Sequence, residues 1–142
     1  MHNPEKKFPA YFSNFKMPEG CSEEAIEVYR ACRTQKVEKA SFLPSYEDNG
    51  FSVPEGKDPA DPIVYSLSTY EKAKDAKRFL KFQPKHLIAV GKTEPCCGPV
   101  QRTKDRIRKC KSSHIDWWLY EDAVPYKHFR LIEDFESYIS NL

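Results

Sequence analysis

With 142 residues, 39% hydrophobic and 31% charged, the chain has the length for one hydrophobic core and a composition that excludes intrinsic disorder. Its net charge of +2, from 23 basic and 21 acidic side chains, does not by itself select nucleic acid as a partner. No apolar run approaches the roughly 18 residues that span a bilayer, and the start MHNPEKKFPAYF lacks a signal-peptide core, so the expectation is a cytoplasmic protein with no membrane segment.

Residues 1–20 carry Pro4, Pro9 and Pro18 with Phe8, Tyr11, Phe12 and Phe15. Prolines at this spacing exclude a long helix, so an extended arm is expected, its aromatics packed on a core of residues 21–142. Ser22 opens a short helical signal through Glu27, with acids in the first turn where the helix dipole favours them. Residues 28–33 read two ways: Ile26, Tyr29 and Cys32 suit a helix face, while Val28, Arg30 and Cys32 suit a strand face. A short helical pattern over 36–43 stops at Pro44, Asn49-Gly50 marks a turn, and 53–62 is a proline-rich loop.

Ile63-Val64-Tyr65-Ser66-Leu67 is β-branched and aromatic, which predicts a short strand. Ser68-Thr69-Tyr70-Glu71 matches a capping box, followed by the helical stripe Tyr70, Ala73, Ala76, Phe79 and Leu80 ending before Pro84. His86 to Val90 reads as a central strand closed by Gly91, and 92–113 as a loop. Over 115–120, Ile115, Trp117 and Leu119 alternate with Asp116, Trp118 and Tyr120, a strand pattern that places one tryptophan in the core and the other at the surface or a cleft. Residues 129–132 suit a last strand, and Phe135, Tyr138, Ile139 and Leu142 a terminal helix. The expected fold is a single α+β domain with a small mixed or antiparallel sheet and flanking helices.

Five cysteines, an odd number, suit reduced thiols rather than a disulfide framework. Cys96, Cys97, Cys110 and His114 form the one candidate metal set. Adjacent cysteines are awkward joint ligands of a tetrahedral zinc and no CxxC pair exists, so ordinary thiols are the better reading. Phosphate-loop, dinucleotide, zinc-protease and hydrolase motifs are all absent. What stands out is a set of polar residues beside apolar ones: Arg30, Tyr65, Ser66, Ser68 and Asp116. Asp116, flanked by Ile115, Trp117 and Trp118, is costly to desolvate unless paired. It is either a salt-bridged strand residue or a carboxylate at a ligand cleft.

In order, Val28-Tyr29-Arg30, then Ile63 to Thr69, then His86 to Gly91, then Asp116 to Tyr120 with a closing strand over 124–132 resemble the ADP-ribosyltransferase fold, particularly its poly-ADP-ribose-polymerase-like branch. The resemblance spans about two-thirds of the chain and rests on spacing more than on identities. It implies NAD as cofactor and transfer of ADP-ribose to a protein or nucleic acid. Cleavage of the nicotinamide–ribose bond passes through an oxocarbenium-like state. It calls for a carboxylate near the ribose, a ring against the nicotinamide, and donors that fix the nucleotide. By resemblance Asp116 is that carboxylate, Tyr65 the ring, Arg30 the nucleotide-fixing cation, and Ser66 or Ser68 the ribose-side hydroxyl. Arg33 is an equal candidate for the cation. Asp116 stands where the family carries Glu; the missing methylene displaces the carboxylate by more than about 1 Å, a cost on the order of 100-fold in rate. A degenerate, inactive member of the fold is therefore also expected.

Two non-catalytic alternatives accompany this reading. The run Arg102, Lys104, Arg106, Arg108, Lys109 and Lys111, broken by a single Asp105, suits a solvated loop or a nucleic-acid contact, with Trp118 as a stacking ring. Alternatively, Trp118 and the aromatic arm over 8–15 anchor a protein partner. Tyr65 and Ser68 also have plain structural readings, as a packed core ring and a helix cap. His114 is a lone loop histidine or a proton carrier.

Overall fold

Six short strands form one antiparallel sheet in the computed structural model, which describes residues 5–142; residues 1–4, with Pro4 of the arm, lie outside the described residues. The strands are β1 (Glu27–Cys32), β2 (Leu67–Tyr70), β3 (Leu87–Lys92), β4 (Val100–Arg102), β5 (His114–Trp117) and β6 (Arg130–Leu131), in the order β4-β5-β2-β1-β3-β6. Three helices accompany them: α1 (Ser45–Asp48), α2 (Ala73–Phe82) and α3 (Phe135–Ser140). The α+β expectation holds.

The ambiguous stretch after Ile26 is a strand because β3 offers it a partner along its whole length, from Glu27 opposite Lys92 to Cys32 opposite Leu87. Alternation then sends Val28 and Cys32 into one core with Leu67, Ala89, Ile115 and Trp117, closed by Phe42 and Phe129. Tyr29, Ile88 and Val90 enter a second core on the other face, under Ala73 and Ala76 of α2 and Phe135 of α3. Helix α2 therefore follows its expected stripe, and α3 starts on Asp134, whose carboxylate accepts the Ser137 amide. A third cluster joins Val64, Tyr65 and Trp118 to the arm rings Phe8, Tyr11, Phe12 and Phe15. The arm packs on the core as expected, with a 3-10 turn over Ala10–Asn14.

Local expectations fail where tertiary pairing wins. Ser22 does not begin a helix; its amide and carbonyl both bond to Val100, at 3.0 and 2.8 Å. Over 36–43 only a 3-10 turn, Lys39–Ser41, forms, and the short helix α1 follows Pro44 instead of ending before it. Pro62–Tyr65 is a 3-10 turn capped by Asp61, so the strand starts at Leu67, four residues after Ile63. The capping box is not used: Ser68 and Thr69 lie in β2 opposite Asp116 and Ile115, and helix α2 begins at Ala73. The expected loop over 92–113 contains edge strand β4. Gly91 does not end β3 but lies within it, where a Cβ would come within 2.5 Å of the Phe129 ring.

One departure from regular pairing shapes the site. Strand β1 meets β2 at a single register position, Tyr29 opposite Tyr70, although β3 holds β1 at six. The two central strands part beyond that point.

Candidate functional site: a cleft between parting strands and the polar network behind it

Where β1 and β2 separate, a cleft of about 240 Å³ opens. Arg30 and Ala31 line it from β1, and Ser68 and Tyr70 from β2. Ser66, Phe79 of α2, His86, Ser45, and the Arg33 and Asp48 pair complete the wall. Arg30 is half-buried; its Nε donates to the Ser41 carbonyl at 2.9 Å and its Nη1 to the Ser68 carbonyl at 3.0 Å. No carboxylate pairs with it among the described residues. Asp48, which lines the same cleft, takes Arg33 Nη2 at 2.9 Å instead. Burial pushes the Arg30 guanidinium down to about 10, which leaves it charged at neutral pH. His86 is lowered as well, by desolvation first and then by the charges of Arg30 and Arg33. The cleft is thus a cationic recess with hydroxyls at its edge and the Tyr70 and Phe79 rings beside it.

Asp116 lies one strand further on, opposite Ser68 on β5 and fully buried. Its Oδ1 accepts from Ser66 Oγ at 2.6 Å, and its Oδ2 accepts from Thr103 Oγ1 at 2.8 Å and Arg106 Nη2 at 2.9 Å. Arg106 continues to Gln101 Oε1 at 2.7 Å, its guanidinium carbon 5.6 Å from the centre of the Trp118 ring. The Thr103 hydroxyl has one proton, and a carboxylate can only accept it. His114 Nδ1, 2.6 Å from Thr103 Oγ1, therefore carries its own proton and donates. Desolvation holds the His114 imidazole below the ordinary histidine range, against the pull of Asp116. Every buried side-chain nitrogen and oxygen among the described residues has a partner.

Of the five residues singled out for nucleotide chemistry, Arg30, Ser66 and Ser68 share the cleft. Asp116 touches it only through Ser66. Tyr65 faces the arm: its ring stacks on Phe15 at 4.7 Å and its hydroxyl donates to the Pro59 carbonyl at 2.6 Å. Neither tryptophan is exposed. Trp117 Nε1 donates to the Gly98 carbonyl and Trp118 Nε1 to the Pro62 carbonyl, so the expectation of one surface or cleft tryptophan is corrected, and with it Trp118 as a stacking ring or partner anchor. Both rings are buried because β5 is covered on one face by the sheet core and at its end by the arm.

The basic run divides. Arg102 forms a two-pronged pair with Glu71 at 3.0 and 3.1 Å, and Arg106 is committed to Asp116. Lys104, Arg108, Lys109 and Lys111 are exposed. Among the described residues no three or more His, Cys, Asp or Glu side chains come together as a metal site. Cys96 is exposed, Cys97 is buried with its thiol pushed up to about 11 by desolvation, and Cys110 sits by Ser112. No helix among the described residues is long and apolar enough to cross a membrane.

Sequence reasoning missed Tyr70, Phe79 and His86 as cleft residues. The signal was present: Tyr70 follows Ser68 at the two-residue period of a strand, so both belong to one face once the capping-box reading is dropped. Comparison of the chain with protein-family models, curated proteins and solved structures finds no match.

Proposed function

We propose that the chain binds the diphosphate-bearing part of a nucleotide such as NAD in the cleft between β1 and β2, as a degenerate ADP-ribosyltransferase-like domain. One observation carries this reading: Arg30 is a charged guanidinium on the cleft wall, bonded to two carbonyls and to no carboxylate among the described residues. Planar guanidinium donors suit phosphate oxygens, and the hydroxyls of Ser66 and Ser68 suit a ribose. The order of elements also supports it: a strand with Arg30, a strand with Ser68 leading to a helix, an apolar strand with Gly91, then β5 with Asp116 and a closing strand. A recess of about 240 Å³ suits a phosphoribosyl portion rather than a whole enclosed dinucleotide.

The role of Asp116 differs from the one the resemblance implies. Its two oxygens already take three donors, so it holds the Ser66 hydroxyl, whose proton it accepts, at the back of the cleft and is a positioning residue. Binding without rapid NAD cleavage follows.

Calorimetric titration of the full chain with NAD, ADP-ribose and inorganic pyrophosphate tests this. The expected result is binding of NAD and ADP-ribose, competition by pyrophosphate, and a loss of about 10- to 100-fold in Arg30→Met, the range for a charged hydrogen bond. Arg30→Lys should retain part of the affinity. Absence of binding at millimolar nucleotide, or equal affinity in a folded Arg30→Met protein, overturns it.

The four exposed cations Lys104, Arg108, Lys109 and Lys111 favour a second reading, a weak nucleic-acid contact. Its mark is affinity for single-stranded RNA that falls steeply with salt, through release of condensed counterions.

A further inference from the structure

A second cavity, of about 570 Å³, shares only Leu43 with the lining of the Arg30 cleft. It opens between the arm, the segment around α1 and the turn after β5. Its wall is aromatic: Tyr11 from the arm, Phe42 and Phe51 from either side of α1, Tyr65 from the turn before β2, and Tyr126. Three carboxylates line it, Glu47, Glu121 and Asp122, against the single cation Lys39. Lys6 reaches Asp122 at 3.4 Å, and the Tyr11 hydroxyl donates to Glu47, which leaves Glu47 further acceptor positions.

Phe51 gives the cavity an unusual edge. It is 61% exposed, and its backbone lies at φ +59°, a left-handed conformation that is rare and costly for a bulky side chain. Burial does not repay that cost. The conformation holds the ring edge-on to Tyr11 and Tyr46, with centroids 6.1 Å from each, at the side of the cavity. Aromatic faces beside carboxylates attract cations, through the ring quadrupole and through charge.

We infer that this cavity is a binding site for the cationic side chain, Lys or Arg, of a peptide segment, with Phe51 and Tyr11 supplying ring faces and Glu47 the carboxylate. The cation enters beside Phe51, its alkyl stem lies along the rings, and the flanking peptide rests on the exposed Val124 side. The site is independent of the nucleotide reading and stands or falls separately.

Nuclear magnetic resonance titration of the full chain with the pentapeptides GGRGG and GGKGG, and with the neutral analogue carrying norleucine at the centre, tests it. The expected result is saturable shifts at Tyr11, Phe51 and Val124 with one or both basic peptides, at least ten-fold tighter than the norleucine peptide. The ratio between the two basic peptides identifies the preferred side chain. Glu47→Gln keeps an acceptor for Tyr11, so the protein should remain folded with at most a small fall in melting temperature, and should weaken binding at least five-fold. Phe51→Asn, a residue tolerant of this backbone conformation, should also weaken binding while the protein melts at or above the parent temperature. Equal binding of the norleucine peptide, no shifts with any peptide at about 10 mM, well above a millimolar Kd, or unchanged affinity in both variants overturns the inference.

Discussion

Ser66 and Asp116, fifty positions apart, meet at 2.6 Å between Oγ and Oδ1, both side chains buried. Ser66 also lines the Arg30 cleft, so this one hydrogen bond links the cleft wall to the ionic pair of Asp116 and Arg106. A carboxylate in this position stabilises the sheet and reaches the cleft only through its hydroxyl neighbour.

Asp116→Ala should therefore act on stability. It strands the Arg106 guanidinium and leaves the Ser66 and Thr103 hydroxyls without their acceptor, and loss of one member of a buried pair costs about 3–5 kcal/mol. Urea denaturation should show that loss. A loss below about 1 kcal/mol would mean that the network is not structural.

The His114 imidazole sits below its ordinary range in the folded protein because burial disfavours its charged form. The unfolded chain then binds a proton that the folded one refuses, so stability is complete above the unfolded value of about 6.5 and falls as pH drops through it. His86 contributes in the same direction. Stability measured from pH 8 to 5 should decline below about 6.5, and His114→Gln should flatten the decline. A profile unaltered by that substitution would remove His114 as its cause.

Tyr65 separates ring from hydroxyl. Tyr65→Phe loses only the bond to the Pro59 carbonyl and should cost about 0.5–1.5 kcal/mol. Tyr65→Ala removes the ring that Phe15 stacks on and should cost about 3–5 kcal/mol and release the arm to proteolysis. Neither should change nucleotide affinity at a temperature where the protein is folded. A Tyr65→Phe protein of normal stability that no longer binds NAD would return the ring to the ligand site.

Thiol reactivity should follow burial. Cys96 is exposed and should react first with a neutral-pH thiol reagent, followed by the half-exposed Cys110. Cys21, Cys32 and Cys97 are buried, and the Cys32 and Cys97 thiols are each pushed up to about 11 by desolvation, so they should wait for unfolding. Mass spectrometry of timed labelling reads the order directly; early modification of Cys97 would contradict the packing of the turn beside Gly98.

Much of the strand and helix content was legible in local pattern. The stripe of α2 buries one face, the apolar run of β3 and the whole of β5 are buried on both, and apolar surface must be buried whatever its partner. The misreadings have two causes. Ile63-Val64-Tyr65 has strand composition, yet Pro62 and the Asp61 cap wind it into a 3-10 turn. Ser68-Thr69-Tyr70-Glu71 has a capping pattern, yet β5 takes Ser68 and Thr69 into the sheet and Arg102 takes Glu71. In the first case a neighbouring proline and cap outweighed strand composition; in the second a partner distant in sequence outweighed a capping preference worth about 1 kcal/mol.

Composition and periodicity alone determined an α+β chain with an aromatic arm laid on its core, and they marked Arg30, Ser66, Ser68 and Asp116 as polar groups set among apolar ones. Only the tertiary structure decided what each of them meets. Arg30 reaches a cleft because β1 and β2 pair at one position and then part, and Asp116 is sealed behind Ser66 because Thr103 and Arg106 arrive from the far side of β5. Periodicity reports which face a side chain takes; the fate of a charge on that face depends on neighbours brought in by the fold, which no local pattern records.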